Sequence, residues 1–181
     1  MTKKEARKKF RDLRDLLSED LIQLASHSIC EQLTEVDLTD KTVHVFLPIK
    51  RLKEIDLWEF IHHCYIERAT VCTSVSNFDN HSMKTILLTP ETELKENEWG
   101  IPEPTNGREL SAKDIDLIIV PLLYADEDGN RVGYGKGFYD RFLAQCRTDV
   151  KKIGVNYFAH KDSIEDTEPT DLKIDVLVFA K

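Results

Sequence analysis

The chain has 181 residues, of which 41% are hydrophobic and 32% charged, with a formal net charge of −8. That length suits one domain with a full core, expected here over residues 1–181, and the negative balance argues against bulk nucleic-acid binding. No apolar run approaches the roughly 20 residues of a membrane-spanning helix, and the first residues lack the apolar stretch of a secretory signal.

The N-terminal segment reads as a helix over 3–17, with Ala6, Phe10, Leu13 and Leu17 recurring at helical spacing. Lysines and arginines fill its other faces, and Lys3 and Arg7, four residues apart, share one stripe. Ser18, followed by Glu19 and Asp20, caps a second helix running to about Leu33. A strand follows over 42–47, a helix over 56–67, and strands over 69–75 and 83–89. Residues 91–107 read as a loop stiffened by Pro102 and Pro104. Strands over 115–121, 152–157 and 174–179 complete the set, with a short helix after residue 137. Alternating strands and helices predict an α/β fold: a three-layer, Rossmann-like sandwich with a largely parallel central sheet and helices on both faces.

The most informative stretch is GNRVGYGKGFYD over 129–140. Gly133, Gly135 and Gly137 alternate, Arg131 and Lys136 sit among them, and Asp140 closes the run. Strand, glycine loop, helix is an anion-binding layout, because glycine N–H groups can cradle phosphate at a helix N-terminus. The spacing fits neither a Walker A loop nor a dinucleotide fingerprint, since Lys136 is followed by Gly137 and the glycines run G-x-G-x-G. The loop therefore predicts a phosphorylated ligand, with a carboxylate at hand for a metal.

Other constellations are weaker. His62, His63 and Cys64 are consecutive on a helix, so their side chains diverge and offer no zinc spacing. Asp126, Asp128 and Gly129 resemble the start of a calcium loop, but the twelfth position is Gly137, so a turn is the simpler reading. Trp99, in WGIPEP over 99–104, can present a flat surface to a flat ligand. Cys30, Cys64, Cys72 and Cys146 form no C-x-x-C pair and read as free thiols in a reducing cytoplasm.

These residues resemble the 5-formyltetrahydrofolate cyclo-ligase family in four places. They are Lys3-x-x-x-Arg7, Leu47-Pro48 with Glu54-Ile55-Asp56, the WGIPEP segment, and Pro121 through Asp126, Gly129 and Arg131 into GYGKGFYDR at 133–141. Ile174-Asp175-Val176 also looks like that family's closing strand. The resemblance implies Mg-ATP-dependent conversion of 5-formyltetrahydrofolate to 5,10-methenyltetrahydrofolate by a cytoplasmic monomer. Its substrate would be a folate that can carry polyglutamate, and no nucleic acid or membrane would be a partner. By the same resemblance Lys3, Lys4 and Arg7 would contact ATP phosphates. Arg131, Gly133, Tyr134, Gly135, Lys136, Gly137, Phe138 and Tyr139 would form the ATP loop, with Tyr134 to Tyr139 also bordering the folate. Glu54 and Trp99 would contact the folate, Asp140 and Asp175 would bind magnesium, and Lys136 and Arg131 would stabilise the transferring phosphoryl group. Ala6, Leu122, Ala125 and Phe138 depart from residues frequent in the family; Phe138 lacks the hydroxyl of the usual tyrosine. Two other readings stay open on the sequence: a different phosphate- or ATP-using small-molecule enzyme on the same fold, and a non-catalytic nucleotide- or folate-binding module.

Overall fold

The computed structural model describes residues 1–159 and 161–181. Helix α1 (Lys3–Asp15) starts in a capping box, Thr2 accepting from Glu5 N–H while the Glu5 side chain accepts from Thr2 N–H. Ser18 accepts from Leu21 N–H and starts α2 (Glu19–Leu33). The chain then alternates through β1 (Thr42–His44), α3 (Trp58–Ile66), β2 (Thr70–Asn77) and β3 (Ser82–Leu87). Short strands follow: β4 (Leu94–Glu96), β5 (Pro102–Pro104) and β6 (Glu109–Leu110). The remainder is β7 (Leu117–Pro121), β8 (Tyr124–Ala125), β9 (Arg131–Val132), α4 (Phe138–Leu143), β10 (Lys151–Asn156) and β11 (Val176–Phe179).

Among the described residues the central sheet has seven strands in the order β11-β10-β7-β1-β2-β3-β6. The five from β11 to β2 pair in parallel, while β3 and then β6 extend one side of the sheet in antiparallel pairing. Both faces are covered, which is why β7 reads as the unbroken run LIIVP rather than alternating. Leu117 and Ile119 pack with Ile29 and Leu33 of α2 and Phe60 and Ile61 of α3. Ile118 and Val120 point the other way, into Phe142 and Leu143 of α4 with Met83 of β3. A third cluster docks Ala6 and Phe10 of α1 on Leu123, Tyr124 and Val132 of the β8–β9 hairpin, where the Phe10 and Tyr124 rings stack at 4.2 Å.

The three-layer α/β expectation holds, and local differences have physical causes. Strand β1 stops at His44 rather than residue 47, although Val45 N–H still bonds Cys72 O. Residues 91–107, expected as a loop, hold the β4–β5 hairpin, with Pro104 opposite Leu94 and Pro102 opposite Glu96. Proline tolerates such a two-stranded edge because no further strand needs its missing N–H. On α1 the expected core residue Leu13 is 37% exposed, while Arg14 is buried in line with Ala6 and Phe10.

The four cysteines are free. Burial pushes their thiols up, Cys30 and Cys146 to about 11 and Cys64 and Cys72 to about 12. No helix among the described residues is long and apolar enough to cross a membrane.

Candidate active site

Strand order reverses at β1. The chain leaves it through α3 to β2 on one side and later enters β7 on the other. A crevice opens where such a reversal separates the loops leaving two parallel strands. The loop after β1 carries Glu54, and the segment after β7 carries the glycine loop, so the fold brings the two motifs to one place.

Glu54 is buried, at 6% exposure. Its Oε2 accepts from Ile49 N–H at 2.9 Å, and its Oε1 accepts from the Tyr134 hydroxyl of the glycine loop at 2.9 Å. Burial pushes the Glu54 carboxyl above its ordinary range, while Ile49 N–H, the Tyr134 hydroxyl, Arg14 and Arg51 pull it back. Burial likewise raises the Tyr134 phenol, and the Glu54 charge adds to the effect.

Helix α1 closes the crevice from a third side. Arg7 Nε donates to Gly133 O at 3.0 Å, laying its guanidinium along the loop. A Cβ on Gly135 would stand 3.2 Å from that guanidinium, and Gly135 has φ +86°, so glycine is required there twice over. Gly137 adopts φ +71° directly before α4, whereas a Cβ on Gly133 would meet open space. Helix α4 has only six residues, so its N-terminus adds less field than a full-length helix would. Lys136 and Lys4 are exposed, and Lys3 is ion-paired to Asp171. Arg131 joins Asp140 at 2.5 Å through Nη2 and donates to Leu172 O through Nη1.

The two carboxylates expected at magnesium line different clefts. Asp140, in the first turn of α4, lines a cleft with Gly137, Arg141 and Asp171. Asp175 pairs with Lys152 at 2.9 Å and lines another cleft with Asp126, Asp128 and Gly129. Among the described residues no group of three or more His, Cys, Asp or Glu side chains is gathered for a metal.

Trp99 is 47% exposed, in a turn organised by Asn97, whose Oδ1 accepts from Trp99 N–H and Ile101 N–H. Arg51 Nε donates to Trp99 O at 2.8 Å and ties this turn to the loop carrying Glu54. The Trp99 ring lies 5.4 Å from Phe78, which lies 5.2 Å from Phe138, itself 5.3 Å from His81. An aromatic row thus runs from the Trp99 turn across the β2–β3 hairpin tip to the glycine loop. Tyr139 sits edge-on to His44 at 6.4 Å and to Phe142 at 6.2 Å, and burial raises its phenol.

Sequence reasoning missed Phe78 and His81, which belong to an ordinary-looking hairpin turn, and Arg14, one of many basic residues on α1. The signal for Arg14 was available: it follows Ala6 and Phe10 at four-residue steps, on the face that packs inward.

Fold and site together define an α/β chain with a cationic glycine loop at the sheet's switch point, the layout of anion-handling α/β enzymes. The chain belongs to the 5-formyltetrahydrofolate cyclo-ligase family, whose sequence profile matches residues 1–179. It is thereby a ligase of folate one-carbon metabolism. It is 30% identical over 192 residues to the probable 5-formyltetrahydrofolate cyclo-ligase of Schizosaccharomyces pombe, with 92% of both chains covered. With the 5-formyltetrahydrofolate cyclo-ligase of Mus musculus it shares 36% over 114 residues, a stretch covering 56% of either chain. The solution structure of Aquifex aeolicus 5,10-methenyltetrahydrofolate synthetase superposes with a TM-score of 0.81 at 29% identity, covering 99% of this chain and 90% of that one.

Proposed function

We propose that this chain, as one domain over residues 1–181, converts 5-formyltetrahydrofolate to 5,10-methenyltetrahydrofolate with consumption of Mg-ATP, as a cytoplasmic monomer. The observation that carries the reading is the 2.9 Å hydrogen bond from Tyr134 to Glu54. It joins the phosphate-type loop to the folate-type carboxylate in one crevice, where two substrates can meet.

In this reading the formyl oxygen of the folate attacks the γ-phosphorus and displaces ADP, N10 of the same folate closes the ring on the activated carbon, and phosphate leaves with the proton that N10 gives up. The substrate supplies both attacking atoms, so the protein needs no nucleophile; its work is positioning and charge stabilisation. Arg7, Arg131 and Lys136 with the loop N–H groups supply positive charge, and Lys3 and Lys4 lie on the same helix as Arg7. Trp99, Phe78, Phe138 and Tyr139 offer aromatic surfaces to the ring system, with Glu54 at its polar edge. Closing these elements around the substrates excludes water that would hydrolyse the activated folate. Aspartate oxygens are hard donors suited to magnesium, which keeps several waters and takes one or two carboxylates beside phosphate. Magnesium, when bound, would neutralise phosphate charge. Asp140, in the first turn of α4 directly after the glycine loop, would be its direct carboxylate, and Asp175, which lines a different cleft, the second one.

The test is absorbance at the methenyl-folate band with protein, 5-formyltetrahydrofolate and Mg-ATP, each omitted in turn. A rise that needs all three supports the reading; no rise from folded protein removes it. Within it, Gly135→Ala is expected to raise the KM for ATP about tenfold. The left-handed backbone there costs a side chain about 1–2 kcal/mol, and the new Cβ presses on Arg7. Steady-state kinetics check this, with the folate KM changing less.

A further inference from the structure

Arg14 is 3% exposed. Its Nη2 donates to Leu122 O and its Nη1 to the Tyr134 hydroxyl, both at 2.8 Å, and its guanidinium lies 5.2 Å over the Tyr157 ring. Its Nε has no partner, and no carboxylate pairs with it directly among the described residues. A buried guanidinium needs a compensating charge. The carboxylate linked to it is Glu54, reached across the Tyr134 oxygen.

The polarity of this chain is fixed by chemistry. Arginine only donates, so the Tyr134 oxygen accepts from Arg14 and gives its single hydrogen to Glu54. Ile49 N–H occupies the other Glu54 oxygen. Glu54 is thus held as an acceptor at both oxygens. An ionised carboxylate has about four acceptor sites, so two remain for side-by-side N–H donors of the kind a pterin ring presents.

We infer that Arg14 is a positioning residue for the reaction: acting through Tyr134, it holds Glu54 as an oriented carboxylate that receives the ring of the folate substrate. This rests on the cyclo-ligase reading. It also gives one helix two tasks, since Arg7 lies along the glycine loop two turns before Arg14. The titratable and charged groups facing Glu54 are Arg14 on α1, Tyr134 and Tyr139 on the glycine-loop side, Tyr157 after β10, and Arg51 on its own loop. Among them only Arg14 and Arg51 carry positive charge, and Arg51 is already used on Trp99 O. Removing Arg14 therefore lets burial dominate and drives the Glu54 carboxyl further up. Substrate affinity then falls as pH falls and recovers as pH rises.

The experiment measures the folate KM of the full chain from mildly acidic to mildly alkaline pH for wild type, Arg14→Met, Arg14→Lys and Tyr134→Phe. The expected result for Arg14→Met is a folate KM raised about tenfold on the acidic side, where more of Glu54 is protonated and less of it can accept from the ring. It returns toward wild type at alkaline pH, with kcat at saturation and the KM for ATP unchanged. Arg14→Lys restores most of the profile, because the charge is kept, and Tyr134→Phe shifts it in the same direction as Arg14→Met. A folded Arg14→Met with the wild-type pH profile, or with a loss equal at every pH, overturns the inference. If Arg14→Met does not fold, unchanged profiles in both Arg14→Lys and Tyr134→Phe overturn it. A wild type that forms no methenyl product overturns the functional reading instead. The same pH series, read as tryptophan quenching by 5-formyltetrahydrofolate, then tests Arg14 without turnover.

Discussion

Lys136→Ala is expected to lower turnover about a hundredfold. Four other cations near the loop are already engaged: Lys3 with Asp171, Arg131 with Asp140, Arg7 with Gly133 O, and Arg141 with the carbonyls of Lys136 and Gly137. The Lys136 side chain is exposed, and among the described residues its ammonium pairs with no carboxylate. It stands between two glycines in left-handed conformation, at φ +86° and +71°, on the most sharply turned part of the loop. A charge presented in this way meets an incoming phosphoryl group without first breaking an ion pair. Losing one such contact to developing charge costs roughly 3 kcal/mol of transition-state stabilisation, by analogy with oxyanion donors. Because the side chain supports nothing in the fold, the melting temperature should stay at the wild-type value while kcat falls. Turnover near wild type would take Lys136 out of the chemistry.

Asp126→Ala is expected to cost about 3 kcal/mol of stability and to lower the melting temperature by about 6–12 °C, at the 2–4 °C per kcal/mol typical of chains this size. The Asp126 carboxylate is buried at the base of the β8–β9 turn. It accepts from Asp128 N–H, Asn130 N–H, the Asn130 side-chain amide and Ile164 N–H, at 2.9 to 3.1 Å. Alanine leaves those donors stranded. Burial works to raise this carboxyl, but the Asn130 side chain and the three N–H groups outweigh it, so the group lies below its ordinary range. A depressed folded value means that the stabilisation is complete above the unfolded aspartate value of about 3.9 and is lost as pH falls through the lower folded value. Thermal melts of wild type and variant should accordingly converge in strong acid and differ most at neutral pH. A melting temperature within about 1 °C of wild type at neutral pH would contradict the assignment.

Much of this architecture is written in local pattern, because helical spacing and capping act over four residues. Thr2 and Ser18 cap their helices where polar residues precede apolar periods, and β7 is marked by an apolar run too continuous for an exposed strand. The β4–β5 and β8–β9 hairpins were not legible, since two- or three-residue strands carry no period and proline argued against pairing. At the site, the glycine loop announced itself because backbone freedom is encoded by residue type. Its partnership with Glu54 did not, because residues 54 and 134 meet only through the strand order of the sheet. Leu13 and Arg14 exchanged roles for a related reason. Hydrophobicity alone favours Leu13 as the inward residue, but a guanidinium with two acceptors and an aromatic face can be buried where tertiary partners await it.

The placement of the four thiols turns the protein into its own reporter of local opening. Cys30 and Cys64 lie in the layer that packs α2 and α3 on the sheet, and Cys72 and Cys146 in the layer beneath α4. With their ionisation pushed to about 11 or 12, these thiols hold almost no thiolate at neutral pH while packed. Alkylation of Cys30, Cys64 or Cys72, all three buried, therefore registers the exposure of its own layer, whereas Cys146 is part-exposed already. Mapping which cysteine is modified first, with and without nucleotide or folate, would resolve the sandwich into two independently timed faces and show which one ligand binding clamps shut.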